Sequence, residues 1–184
     1  LQKDILEVDF DQLFRQVGKP FKVVANLPYQ ISTPLLFRFI ESRKLFSNLT
    51  LMLQKELAER IVALPGSKAY GALSVLTQMA SHPSIQFKIK PSAFFPPPKV
   101  ESVVLQIVWR KDQMMKLEEE DWFRRVVKAS FSHRRKTLIN SLKNSGLPLP
   151  HSIEERMTKV GIDPRRRPET LSIKEFIHLS KALI

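Results

Sequence analysis

Asn26-Leu27-Pro28-Tyr29 places a side-chain amide, backbone carbonyls and an aromatic face within four consecutive residues. The run before it, Phe21 to Ala25, is short, apolar and partly β-branched, which predicts a buried strand. Proline has no N–H to donate, so Asn-x-Pro then halts the ladder in a rigid turn. A turn at the carboxyl end of a parallel strand is where open α/β sheets bind their ligands. These groups could accept hydrogen bonds from an exocyclic amine while the Tyr29 ring covers one face of a planar base. An Asn-x-Pro turn is also an ordinary strand terminator, so four residues alone do not decide between chemistry and architecture.

The surrounding pattern predicts how such a turn would be positioned. Leu1 to Leu6 reads as a strand end followed by a loop carboxylate, Asp4. Phe10 to Val17 suits a short helix, and Pro34 to Glu41 a helix with Pro34 in its first turn, where a missing N–H costs little. Leu49 to Leu53 predicts a second strand, followed by a helix from Glu56 to Ala63 and another from about Tyr70 to Ala80. Ile85 to Ile89 and Val103 to Trp109 alternate apolar with polar, as half-buried strands do. Between them Pro91-Ser92-Ala93-Phe94-Phe95-Pro96-Pro97-Pro98 is too rigid and donor-poor for a helix or sheet interior. Strands alternating with helices, then two strands in succession, predict a parallel sheet with an antiparallel edge.

After Arg110 the pattern becomes wholly helical. Glu118-Glu119-Glu120-Asp121 suits a helix N-terminus through dipole complementarity, and Trp122, Phe123, Val126, Val127 and Phe131 follow at core-facing spacing. Thr137 to Leu142 continues or restarts the helix. Ser152-Ile153-Glu154-Glu155 has the pattern of a capping box, and Ser172 is the predicted cap of a last helix. These features divide the chain into an α/β part, residues 1–112, and an all-helical part, residues 113–184, with the boundary near Lys111 to Leu117.

Composition narrows the functional classes. The 184 residues contain no cysteine, so disulfides, thiolate metal sites and cysteine nucleophiles are excluded. His82, His133, His151 and His178 are dispersed, which gives no support to a metal site or a Ser-His-acid triad. No apolar run approaches the roughly 20 residues that span a bilayer. The net charge of +12 favours a polyanionic partner. Residues 122–143 carry Arg124, Arg125, Lys128, Arg134, Arg135, Lys136 and Lys143 with no acid among them, the footprint of a nucleic-acid-binding surface. On a continuing helix Arg124, Lys128 and Arg135 would fall near one face, and Arg165-Arg166-Arg167 adds a second basic cluster in a loop.

Five stretches in order resemble one family along nearly the whole chain. They are Asn26-Leu27-Pro28-Tyr29-Gln30-Ile31-Ser32-Thr33-Pro34, Met52-Leu53-Gln54-Lys55-Glu56, Lys68-Ala69-Tyr70-Gly71-Ala72-Leu73-Ser74-Val75, Pro91-Ser92-Ala93-Phe94 with Pro96-Pro97-Pro98-Lys99-Val100-Glu101-Ser102, and Phe131-Ser132-His133-Arg134-Arg135-Lys136-Thr137-Leu138. Together they resemble the KsgA-type small-subunit rRNA adenine dimethyltransferases. The fold this implies is a Rossmann-like methyltransferase sheet, here its C-terminal half, followed by a small all-α domain that docks on ribosomal RNA.

The resemblance also implies roles. Asn26, Leu27, Pro28, Tyr29 and Phe94 would form the catalytic site, with the Asn26 side-chain oxygen and the Leu27 carbonyl accepting from the adenine amine. Tyr29 and Phe94 would stack on the two faces of the base. Asp4, with Ile5 and Asn26, would bind S-adenosylmethionine. Arg124, Lys128, Arg134, Arg135, Lys136, Arg165, Arg166 and Arg167 would contact RNA. Gln54-Lys55-Glu56 and Tyr70-Gly71 read first as structural. The implied partner is small-subunit rRNA in a maturing subunit, in the cytoplasm, with a monomeric protein and no metal or membrane. Two other readings stay open: a large-subunit rRNA adenine methyltransferase, and a non-catalytic RNA-binding or transcription-accessory relative.

One departure from the family is an absence. Gly18, Gly66, Gly71, Gly146 and Gly161 are the only glycines and none has Gly-x-Gly spacing, so the glycine-rich cofactor loop of such folds has no counterpart. With a start at Leu1, this leads to the expectation that an N-terminal segment of roughly 80–100 residues, about three βα units, belongs before it. The 184 residues alone are expected neither to bind S-adenosylmethionine tightly nor to methylate RNA.

Overall fold

The computed structural model describes residues 2–112, 114–133 and 135–184. Two units divide it, Leu1–Val62 with Ala80–Lys111 and Ala63–Met79 with Asp112–Ile184. Among the described residues the first unit holds one sheet of four strands, β1 (Phe21–Asn26), β2 (Phe46–Gln54), β3 (Ser81–Ile89) and β4 (Ser102–Trp109), in the order β1-β2-β4-β3. β1 and β2 are parallel, with Val23 opposite Leu49 and Ala25 opposite Leu51. β4 is antiparallel to both β2 and β3.

An antiparallel strand therefore sits inside the sheet, where the sequence pattern places it at the edge. Burial explains the order. Leu49, Leu51 and Leu53 of β2 and Val103, Leu105 and Ile107 of β4 are all at most 1% exposed, so the two most apolar strands share the centre. β3 begins at Ser81, earlier than the alternation at Ile85 suggests, and runs through Pro83. Proline cannot donate to a ladder, so a strand that contains it suits an edge.

The connection from β1 to β2 runs through α2 (Ser32–Glu41), which buries Leu35, Leu36, Phe39 and Ile40. The preceding α1 (Phe10–Val17) is capped by the Asp9 carboxylate on the Gln12 N–H at 2.9 Å. Phe10, Phe39 and Phe46 form an aromatic cluster with ring centroids 5.1–5.7 Å apart. α3 (Lys55–Val62) follows β2 directly and buries Ala58 and Ile61.

The second unit is helical: most of α4 (Ala72–Ala80), then α5 (Glu120–Ser130), α6 (Leu138–Lys143), α7 (Ile153–Lys159) and α8 (Ile173–Ala182). Its core contains Phe123, Val126, Val127, Leu138, Leu142, Met157, Phe176 and Leu179, each fully buried. Glu120 and Asp121 occupy the first turn of α5, as dipole complementarity predicts. Ser172 forms a complete capping box with Glu175. The similar pattern at Ser152 does not: its backbone (φ −87°, ψ 29°) is not extended, and its side chain makes no cap bond. No described helix is long and apolar enough to cross a membrane.

Candidate functional site

β1 ends at Asn26, one residue past the predicted run, and it is not the buried strand expected: its residues alternate between half-buried and exposed. Asn26 pairs with Met52, and the Leu27 N–H extends the ladder to the Met52 carbonyl at 3.0 Å. Leu27 is buried in the core and anchors the turn, while Asn26, Pro28 and Tyr29 face solvent. The Pro28 carbonyl accepts from the Ile31 N–H at 3.1 Å and from Ser32 Oγ at 2.9 Å, which joins the turn to the start of α2. Among the described residues no group of the chain hydrogen-bonds the Asn26 side-chain amide or the Leu27 carbonyl. The turn thus presents two acceptors with free lone pairs, next to an aromatic ring.

The second half of the site comes from the proline-rich segment. Pro91–Ala93 form a short 3-10 turn, closed by Ala93 N–H to Lys90 O at 3.0 Å and Phe94 N–H to Pro91 O at 3.1 Å. Phe94 is half-buried with extended backbone, and the Phe95–Pro96 peptide is cis. Asn26, Leu27, Pro28 and Tyr29 share one cleft of about 330 Å³ with Phe94, Phe95, Pro96, Pro98 and Ser102. That volume suits a single nucleobase with part of its sugar, at the lower end of ligand-pocket sizes.

Two neighbours brace the cleft that the sequence pattern leaves without a role. Ser102, 2% exposed, lies with its Oγ 3.3 Å from the Tyr29 hydroxyl. It opens β4 opposite Gln54. Just before it, Glu101 is gripped twice by Lys55: Nζ to Oε2 at 2.5 Å, and Lys55 N–H to the Glu101 carbonyl at 3.0 Å. The hydrogen bond and charge of the pair raise the Lys55 ammonium above its ordinary range and hold the Glu101 carboxyl below its own. The structural reading of Gln54-Lys55-Glu56 agrees with this clamp. Ser102 lies inside a family-like stretch, but local sequence carries no sign that it meets a tyrosine 73 residues away.

Asp4 and Ile5 do not line the cleft. Asp4 is exposed, its Oδ1 accepts from the Leu6 N–H at 2.9 Å, and its carbonyl accepts from Glu7 N–H at 2.9 Å, an Asx turn. Ile5 is 36% exposed. Arg38 of α2 ties this turn down by donating to the Ile5 carbonyl at 2.7 Å and the Val8 carbonyl at 2.6 Å, with its guanidinium 4.6 Å above the Phe10 ring. The helix that starts at the Asn26–Tyr29 turn therefore also positions Asp4 and Ile5.

In the helical unit, Arg134 lies outside the described residues. α5 stops at Ser130, so Arg135 does not share a helix face with Arg124 and Lys128, correcting the grouping expected from a continuing helix. Arg124 is half-buried and 3.7 Å from Asp121, and Lys128 is exposed. Arg135 and Lys136 are exposed in the turn before α6. That turn is stitched to the other basic cluster: Leu138 N–H donates to the Arg166 carbonyl at 2.8 Å, and Ile139 N–H to the Pro164 carbonyl at 3.1 Å. Two clusters separated in sequence therefore meet. Within them, Arg165 is exposed and Arg167 is 3.9 Å from Glu169. The Arg166 guanidinium is instead committed within the chain, bonding the Glu175 carboxylate, Thr170 Oγ1 at 3.1 Å and the Thr170 carbonyl at 2.7 Å.

A mixed sheet with a polar, aromatic-faced turn at a parallel strand's end, together with basic helices, matches a defined class. The family profile described as ribosomal RNA adenine dimethylase matches residues 1–184, and the chain belongs to that family. A "Ribosomal RNA small subunit methyltransferase A" of Geobacter sulfurreducens is 49% identical over 186 residues, covering 100% of this chain and 67% of the relative. That of Geobacter metallireducens is 49% identical over 183 residues, covering 98% and 66%. The chain thus spans about two thirds of the length of these curated relatives. The crystal structure of a dimethyladenosine transferase from Plasmodium falciparum superposes with a TM-score of 0.80 at 25% identity, covering 97% of this chain and 70% of that one. The 23S rRNA methyltransferase ErmE matches with a TM-score of 0.67 at 19% identity over 100% of this chain and 70% of its own, a likeness of fold.

Proposed function

We propose that this chain takes part in transferring methyl groups from S-adenosylmethionine to the exocyclic amines of two adjacent adenosines in small-subunit ribosomal RNA, supplying the target-base cleft and a basic docking surface. The observation that carries this reading is the convergence of Asn26, Leu27, Tyr29 and Phe94 on one cleft of base-sized volume.

The adenine amine is a weak nucleophile because its lone pair is delocalised into the ring. Acceptors that hold both N–H groups localise that pair toward an incoming methyl. The Asn26 side-chain oxygen and the Leu27 carbonyl, both without partners among the described residues, suit that task. Tyr29 and Phe94 cover the base faces; stacking contributes about 1–3 kcal/mol per base, which offsets an extrusion cost of a few kcal/mol. The remaining contribution is alignment of the amine, an effect of positioning. Asp4 and Ile5 fit one end of the cofactor chemically: an exposed carboxylate can accept from an adenine amine, and an exposed aliphatic side chain can cover its ring. When bound, S-adenosylmethionine supplies an electrophilic methyl on a sulfonium centre. Arg124, Lys128, Arg135, Lys136, Arg165 and Arg167 serve as phosphate contacts that position RNA without reading sequence.

Deleting the gene and measuring N6,N6-dimethyladenosine separately in the two rRNAs tests this reading. Loss confined to small-subunit rRNA is the expected result. Loss from large-subunit rRNA, or no loss, overturns it.

A further inference from the structure

Phe95 is the most exposed large apolar side chain among the described residues, at 100%, yet it lines the cleft that holds Tyr29 and Phe94. It contributes nothing to the core. Neither is it on a loose tip: the 3-10 turn at Pro91–Ala93 precedes it and Pro96, Pro97 and Pro98 follow it. Phe94 is extended (φ −120°, ψ 153°), so the side chains of Phe94 and Phe95 leave the backbone in roughly opposite directions. One is half-buried and the other stands wholly in solvent at the rim. The surroundings favour an anionic ligand. Lys88, Lys90 and Lys99 are all exposed around this segment. Lys88 and Lys90 flank Ile89, the residue of β3 that pairs with the cleft's Ser102, and Lys99 follows the proline run on the other strand's approach.

A flat ring without polar groups, next to a base-sized cleft and among lysines, matches one chemistry: the face of a nucleobase on a polyanionic chain. Extruding one base leaves its neighbour with an unstacked face. We propose that Phe95 is a second stacking platform, taking the nucleobase adjacent in the RNA chain to the one held between Tyr29 and Phe94. With no hydrogen-bonding group, it would accept any base and contribute affinity, not sequence choice. The proposal rests on the reading of the cleft as the target-base site.

The test uses the protein as its own cells make it and short single-stranded RNAs in which one or the other of two adjacent adenines is replaced by fluorescent 2-aminopurine. Stacking on an aromatic ring quenches this base. With wild type, quenching is expected at both positions. Phe95→Ala should abolish most of the quenching at one position and weaken binding roughly tenfold, while Phe95→Trp retains both and Phe95→Leu behaves like Ala. Full exposure of Phe95 makes these variants safe for folding. If Phe95→Ala leaves both positions quenched while Tyr29→Ala relieves one, this inference fails alone. If Tyr29→Ala and Phe94→Ala also change nothing, the target-base reading fails and takes the inference with it.

Discussion

The Tyr29 hydroxyl and Ser102 Oγ lie 3.3 Å apart, joining the turn after β1 to the first residue of β4 across 73 residues of sequence. Glu101, gripped by Lys55, fixes the backbone beside Ser102. The direction in which the Tyr29 side chain crosses the cleft is therefore held by a buried serine as well as by the turn. The chain has two tyrosines, so 3-fluorotyrosine labelling yields two ¹⁹F resonances. Ser102→Ala should shift that of Tyr29 and leave that of buried Tyr70 in place, while Ser102→Thr restores the wild-type spectrum. A neutral hydrogen bond contributes about 0.5–1.5 kcal/mol net, so RNA affinity should fall about two- to tenfold. An unmoved Tyr29 resonance in the Ala variant contradicts this role for Ser102.

The two basic clusters divide by what each side chain touches. Arg135 and Lys136 are exposed, whereas the Arg166 guanidinium is committed to Glu175 and Thr170. Replacing Arg135 and Lys136 with Ala should leave stability almost unchanged. The slope of log affinity against log salt should fall by about one for each phosphate no longer neutralised. Arg166→Ala should instead lower the melting temperature. An Arg166 variant that loses RNA binding at wild-type stability would reverse this division.

Glu175 couples the helical unit to pH. Burial alone would raise its carboxyl, but hydrogen bonds from Arg166 and from the Ser172 N–H and hydroxyl outweigh burial and hold it below its ordinary value of 4.5. A carboxylate whose folded value lies below the unfolded one stabilises the fold above the unfolded value. That stabilisation disappears as pH falls through the folded value. The loss therefore belongs below about pH 4.5. Hydrogen bonds to charged groups contribute about 1.5–3 kcal/mol. Urea titrations at pH 7 and pH 3 should show Glu175→Gln less stable than wild type at the higher pH and nearly equal to it at the lower. An equal deficit at both would contradict the linkage.

Local chemistry made part of this molecule legible. The β-branched run to Ala25 and the Asn-x-Pro stop located β1 and its turn within a residue, because proline's missing donor acts without tertiary context. The Ser172–Glu175 capping box was equally local. Long-range terms were not readable. Sheet order depended on the relative burial of β2 and β4, and nothing near Ser102 points to Tyr29. The break of α5 after Ser130 separated Arg135 from Arg124 and Lys128, although the periodicity continued past it. In sequence Phe95 is one more residue of a rigid proline-rich stretch, because exposure beside a cleft is a tertiary property.

Tyr70 offers a stability test within the second unit. Its ring is fully buried and 6.2 Å from Phe131, but its hydroxyl is buried without a hydrogen-bond partner among the described residues. Burial, with the Glu175 charge nearby, pushes its phenol well above the ordinary range. An unpaired buried polar group costs about 1–3 kcal/mol. Tyr70→Phe keeps the ring contact and removes that cost, so the melting temperature should rise by a few degrees. A fall of similar size would mean that the hydroxyl has a functional or solvent partner.

The most direct test of the account is Asn26 in the protein as its own cells make it. Asn26→Ala removes one of the two acceptors proposed to hold the target amine, at an exposed position where folding should not suffer. With Asn26→Ala introduced at the chromosomal gene, primer extension across small-subunit rRNA should lose the stops that N6,N6-dimethyladenosine causes, while the protein still accumulates. Undiminished stops at wild-type protein levels would contradict the assignment of this turn as the target-base site.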